Sequence, residues 1–101
     1  MNAAQYMARV HDLPCCVCAR FAMVQMSPTE AHHVFHGRFS NRKPDDWNTI
    51  PLCRGHHMGD FDTTKIAIHR RKGQWAELYG EDHTYLAATQ KRILGYVREE
   101  R

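Results

Sequence analysis

The spacing of apolar and polar positions divides the chain into a helical start, a middle of short elements rich in Cys and His, and a helical end. Tyr6, Met7 and Val10 recur at three-to-four spacing, which predicts an amphipathic helix over about 2–13. Pro14 ends it and sets Cys15 on a turn. Phe21 to Met26 is apolar and reads either as a strand or as the tail of that turn, and Ser27-Pro28 is a turn signal. Thr29 to Phe35 predicts the first strand of a hairpin. Trp47 to Leu52 predicts the return strand, with Pro51 limiting its pairing near the end. A polar loop, His36 to Asp46, joins the two. From Arg54 a short helix runs to about Met58 or Asp60, weakened by Gly59, and a second loop covers Asp60 to Lys65. Gln74 to Tyr79 predicts a helix with Gly80 as its left-handed cap. A last helix follows from about Thr84 to Arg98, with Leu86, Ile93 and Val97 on one stripe. The class expected is α+β, with a core over about 15–62 and helical flanks over about 2–13 and 72–98.

Composition narrows the picture. A chain of 101 residues is one small domain, 1–101, and buries so modest a share of its surface that a metal staple is physically welcome. With 43% hydrophobic and 25% charged residues, a wholly disordered chain is excluded. The formal net charge of +3 is a mild bias towards polyanions. No apolar run is long enough to span a membrane, and no signal-peptide core stands near Met1. The compartment expected is therefore a reducing cytoplasm, where cysteines serve as thiolate ligands rather than disulfides.

The chemistry lies in two paired spacings. Cys15-x2-Cys18 and Cys53-x2-His56 supply two ligands from each of two turns, the pattern that closes a tetrahedral structural zinc. The rival reading, cysteines buried as small hydrophobes, does not explain two separate x2 spacings. A closed four-ligand zinc has no open position for water, so its role is structural. Cys16 lacks a knuckle spacing and reads as a free thiol. His57 is then left over beside the zinc and close to His32-His33. On a regular strand His32 and His33 point to opposite faces, so both serve one site only if the strand ends or bulges there.

Asn48, five residues before Cys53, completes a pattern of His-His, Asn and Cys-x2-His-His that resembles the HNH endonucleases, whose site is a hairpin and helix wrapped round a metal (ββα-metal). The likeness extends towards the phage recombination-enhancement (Ref-like) branch. It is carried by Ala8-Arg9-Val10 with Leu13-Pro14-Cys15, Ala31-His32-His33, Lys43-Pro44-Asp45, Ile50 to Cys53 with His56-His57, Ile68-His69, and Trp75 to Gly80. The resemblance implies a small zinc-stabilised ββα-metal domain that hydrolyses DNA phosphodiester bonds, encoded by a phage or prophage and working in the bacterial host cytoplasm. It also implies a link to recombination or packaging, with a recombinase filament or packaging protein as partner. By position, His32 and His57 match the catalytic-metal ligands, His33 the general base, and Asn48 the residue that pins the hairpin and orients the base. His69 matches an Ile-His word of that branch and stands either as a third ligand or as a cap for the following helix. Related helices carry another His where this chain has Phe61 flanked by Asp.

These residue types suit the reaction. Imidazole, with an unperturbed pKa of about 6.5, takes a proton from water near neutrality. A cation on His32 and His57 stabilises phosphate charge; Mg²⁺, Mn²⁺, Zn²⁺ and Ni²⁺ all qualify, imidazole favouring the later transition metals. Asp60 and Asp62 are either acceptors that orient a ligand imidazole or solvated loop carboxylates. Arg38, Arg42, Lys43, Arg54, Arg70, Arg71 and Lys72 flank the site and read as contacts to DNA phosphates. Arg98 to Arg101 reads as a solvated helix end. Two competing readings are a zinc-stabilised nucleic-acid-binding module without catalysis and a zinc-stabilised adaptor. A mere binding module has no reason to keep His33 and His57 free and close together.

Overall fold

In the computed structural model, which describes residues 1–99, every residue of strand β2 (Thr49–Cys53) is buried. It pairs antiparallel with β1 (Thr29–His33), Thr29 opposite Cys53 and His33 opposite Thr49. The pairing runs on past both strands, from Arg54 N–H to the Pro28 carbonyl and from Val34 N–H to the Asn48 carbonyl, each 3.0 Å. Bonded and non-bonded pairs alternate along an antiparallel ladder. Val34–Asn48 is bonded, so Ala31–Pro51 is a non-bonded pair and the N–H that proline lacks would have faced away from β1. Pro51 therefore does not limit the pairing, and β2 runs through it to Cys53. β1 stops at His33 rather than Phe35, because the chain turns away after Val34.

Helices α1 (Ala3–His11), α2 (Cys16–Arg20) and α3 (Arg54–His57) pack on this hairpin. Asn2 and Gln5 form a reciprocal capping box at the start of α1, each side chain accepting the other's backbone N–H at 2.8 Å. Tyr6 and Val10 then point inward. Residues 21–26 form neither strand nor helix: Met23 N–H bonds back to the Cys18 carbonyl at 2.8 Å, and Val24 and Met26 are exposed. They are the tail of the cysteine turn. The core runs from Cys15, Val17 and Val34 through Ile50 and Leu52 to Ile68, Trp75, Tyr79, Tyr85 and Leu86. No helix among the described residues is long and apolar enough to cross a membrane.

The C-terminal third departs most from expectation. Helix α4 spans Lys72–Tyr79, and Gly80 follows at φ 87°, ψ 166°, an extended rather than a left-handed cap. A 3₁₀ turn (Asp82–Tyr85) leads into α5 (Leu86–Leu94). That helix stops at Gly95, whose φ 86° and ψ −1° are the left-handed cap. The predicted helix to Arg98 is thus cut short, and Val97 is exposed rather than on the buried stripe. The tail folds back instead. Arg98 N–H donates to Gln90 Oε1 at 3.0 Å, and Gln90 Nε2 donates to the Trp47 carbonyl at 2.9 Å. The Arg98 guanidinium lies 4.1 Å from the Trp47 ring centre, so Arg98 is not a solvated helix end. Glu100 and Arg101 lie outside the described residues.

The two glycines should respond differently to a Cβ. Gly80 occupies a region of backbone space that is nearly glycine-only, so Gly80→Ala should lose on the order of 1–3 kcal/mol. Gly95→Ala should lose about 1 kcal/mol, since alanine tolerates the left-handed region at that cost. Urea unfolding of the two variants checks the order.

Candidate functional site

Four potential ligands meet beneath the hairpin. Cys15 caps α2, Cys18 lies within it, Cys53 ends β2 and His56 sits in α3. All four are buried and none is disulfide-bonded. His56 Nδ1 is 3.5 Å from Cys15 Sγ, 3.5 Å from Cys18 Sγ and 3.3 Å from Cys53 Sγ, and Cys18 Sγ is 3.9 Å from Cys53 Sγ. A tetrahedral metal with bonds of about 2.3 Å to sulfur and 2.0–2.1 Å to nitrogen has edges of about 3.6 Å (S to N) and 3.8 Å (S to S). The separations fit a structural metal such as zinc. Hydrogen bonding to Cys15 and then to His56 pulls the Cys53 thiol down against the effect of burial, while the contact with Cys53 and burial push the Cys15 thiol up and burial raises that of Cys18, so the first thiolate of the cluster falls on Cys53. Cys16 stands outside the cluster, and burial pushes its thiol up to about 12. Gln25, which nothing in the sequence marks, ties the turn to β1. Its side chain accepts from Cys15 N–H at 2.7 Å and donates to the Ser27 carbonyl and Thr29 Oγ1.

A second group lies on the other side of α3. His32 of β1, His57 of α3 and His69 each offer one nitrogen, and the three atoms lie within 4.8 Å of one another. Backbone pairing brings His69 there: Ile68 N–H bonds to the His56 carbonyl at 2.9 Å and His69 N–H to the His57 carbonyl at 3.1 Å. The Nε2 atoms of His57 and His69 are 3.2 Å apart. His32 Nε2 donates to Asp82 Oδ2 at 2.9 Å, and His57 Nδ1 donates to Glu30 Oε1 at 2.8 Å. A carboxylate only accepts, so His32 keeps its lone pair on Nδ1 and His57 on Nε2. His32 Nδ1 is buried without a protein partner. Burial lowers the His32 pKa to about 4 despite the Asp82 contact, and burial followed by the His57 charge lowers that of His69. A carboxylate on the far nitrogen, as on His32 and His57, is the support that a metal-ligating imidazole takes.

Those carboxylates are not the ones the sequence suggested. Asp60 grips Arg54 through two contacts of 2.5 and 2.7 Å, and Asp62 holds Thr64 and Lys65. Neither orients an imidazole. Glu30 does, and its other oxygen takes Arg54 Nη1 at 2.7 Å. Burial opposes the charged form of Glu30, yet His57 and Arg54 together hold its carboxyl below the usual range. The Arg54 fork is thus engaged by Glu30 and Asp60 within the fold. Glu30 could have been found, being two residues before His32 and so on the same strand face. Asp82, 50 residues from His32, leaves no such signal.

A cleft of about 380 Å³ opens over this group, lined among others by His32, His33, Phe35, Arg42, His57 and His69. The ladder is unbroken through His33, so both neighbours line one cleft because β1 ends there, without a bulge. His33 Nε2 donates to Asp46 Oδ1 at 2.9 Å, which leaves Nδ1 with the lone pair. Asn48 contributes its backbone, with its carbonyl accepting from Val34 and its N–H donating to the Asp45 carbonyl. The side chain that touches the His33 ring is that of Asp46. Among the basic residues, Arg38 and Arg42 each stack on Phe39, Lys72 lies over Phe35, Arg70 Nε donates to the Met58 carbonyl, and Arg71 reaches Gln74. Lys43 sits in the exposed loop beside Trp47.

Protein purified without added metal is expected to carry about one zinc per chain by elemental analysis, and Cys53→Ala to abolish the folded circular-dichroism spectrum along with that zinc. A zinc-free protein with an unchanged melting curve would count against a structural metal.

Residues 1–96 match the family described as "Protein of unknown function (DUF968)". No curated protein and no solved structure matches the chain. The match covers nearly the whole sequence, and the protein belongs to this family, DUF968.

Proposed function

We propose that the protein is a metal-dependent endonuclease of the HNH, or ββα-metal, type that hydrolyses DNA phosphodiester bonds, with zinc as the structural metal of the cysteine cluster. The observation that carries this reading is the convergence of His32, His57 and His69 on one cleft that a fourth imidazole, His33, also lines. A binding module gains nothing from three imidazoles whose ring nitrogens converge on one point. His32, His57 and His69 would hold a divalent cation. When bound, that cation supplies positive charge to the phosphate and to the departing oxygen. His33 Nδ1 takes the proton from the attacking water, and Asp46 keeps the ring in that tautomer and steadies the imidazolium that forms. The water oxygen bonds to phosphorus, the bond from phosphorus to the 3′ oxygen breaks, and that oxygen takes up a proton from solvent. Arg38, Arg42 and Lys43 on one loop, and Arg70, Arg71 and Lys72 after His69, supply the contacts to backbone phosphates. Arg54 serves the site through Glu30 rather than DNA directly.

Plasmid nicking across a panel of divalent metals tests the proposal. His33→Ala should lower the rate by about 10²–10⁴-fold and leave the zinc, the fold and DNA affinity near those of the parent. His57→Ala should inactivate by weakening the cation site, and excess metal should restore part of the rate. A His33→Ala protein that nicks as well as the parent would remove His33 as the base, and a parent that nicks under no metal would replace this reading with a zinc-stabilised binding module.

DNA affinity should fall steeply with salt and show little sequence preference. If Arg38, Arg42, Lys43, Arg70, Arg71 and Lys72 all contact phosphates, the loss between ~50 and ~200 mM salt is about 10³-fold. Filter binding at the two salt concentrations measures it, and a salt-insensitive affinity would remove the phosphate contacts.

A further inference from the structure

Asp82 is fully buried and belongs to the 3₁₀ turn before α5, outside the hairpin and the helix that carry the imidazoles. Its carboxylate takes three donors. Oδ2 accepts from His32 Nε2 at 2.9 Å and from Phe35 N–H at 2.8 Å, and Oδ1 accepts from His36 N–H at 3.0 Å. Its own backbone N–H donates to His36 Nδ1 at 2.8 Å. Two of the three donors are the backbone groups through which the chain leaves β1, just after His33. A carboxylate kept only to close that turn would be complete with those two. The third donor is a ring nitrogen, and the other nitrogen of the same ring, His32 Nδ1, is buried with no protein partner. With Nε2 committed to Asp82, Nδ1 is the atom that His32 can offer beside His57 and His69.

We propose that Asp82 is a positioning residue for the three-imidazole site. It holds His32 in the Nε2–H tautomer and fixes the turn that ends β1, so that cation affinity depends on it. The inference rests on the reading of His32, His57 and His69 as a cation site and does not require that the protein cleave DNA. An anionic acceptor on the far nitrogen fixes the ring and raises its basicity as a ligand; losing such a partner typically weakens metal binding about 10–100-fold.

The test uses the full chain with its cysteine cluster loaded with zinc, and cobalt(II) as the probe of the second site. Cobalt bound to imidazoles alone gives ligand-field bands without the sulfur charge-transfer absorption of the cysteine cluster. Asp82→Asn should weaken cobalt binding about 10–100-fold, measured well below its melting temperature, with zinc content and circular dichroism unchanged. A lower melting temperature with unchanged cobalt affinity would mean that the carboxylate only closes the turn, and would overturn this inference alone. If Asp82→Asn does not fold, imidazole ¹⁵N shifts of the unaltered protein decide the matter. His32 should carry its proton on Nε2 before cobalt is added, and a proton on Nδ1 overturns the proposal. A parent protein that binds no cobalt beyond the cysteine cluster overturns both this inference and the cation site beneath it. Cobalt binding weakened by Asp82→Asn in a protein that nicks no DNA upholds Asp82 and removes the nuclease.

Discussion

The meeting of Cys15, Cys18, Cys53 and His56 is the constraint from which the other placements follow. A two-stranded hairpin is marginal alone in water, and α3, a single turn from Arg54 to His57, is far too short to persist on its own. The cluster joins both to α2 across nearly forty residues of chain. It also sets the rotation of α3. His56 points into the cluster, so His57, about 100° further round the helix, points away from it towards Glu30 and His32. The direction of a residue in the cleft is therefore inherited from its neighbour in the cluster.

Charged groups beside the cleft share their partners. Glu30 lies between His57 and Arg54, and Arg54 in turn lies between Glu30 and Asp60. In the chain Asp60–Arg54–Glu30–His57 the Arg54 cation lies between two carboxylates, so Glu30 approaches the imidazole with a cation already beside it. Asp82 has no such cation. It is satisfied by hydrogen-bond donors: burial opposes its charged form, yet the bonds from His32, Phe35 and His36 hold its carboxyl below the usual range.

What was legible in the sequence is what short spacing determines. The Cys-x2-Cys and Cys-x2-His pairs, the hairpin strands and the helix after Cys53 are all set by residues within a few positions of one another. The boundaries failed where a second residue competed for the same role. Gly80 and Gly95 both follow helices, and only ψ separates an extended exit from a left-handed cap. The stripe of Leu86, Ile93 and Val97 suggested a longer helix, but Gly95 interrupts it before Val97 can turn inward. The carboxylates were the least legible part. Asp46 meets His33 across the hairpin loop and Asp82 meets His32 from the far end of the domain, contacts made by tertiary packing that no local period announces. Asp60 and Asp62 lie nearer to His57 in sequence, but the loop turns them towards Arg54 and Lys65.

The distance in sequence between His32 and Asp82 has a bearing on synthesis. A ribosome has made all four residues of the cysteine cluster once it passes His56, so the hairpin and α3 can be gathered while the remainder is still being translated. The three imidazoles are complete at His69, but the ring of His32 stays free to turn until residue 82 has emerged and the 3₁₀ segment has docked. The four cluster residues are thus in hand before the cleft can acquire a defined geometry, and gathering of the hairpin and commissioning of the site become successive events in the life of each chain.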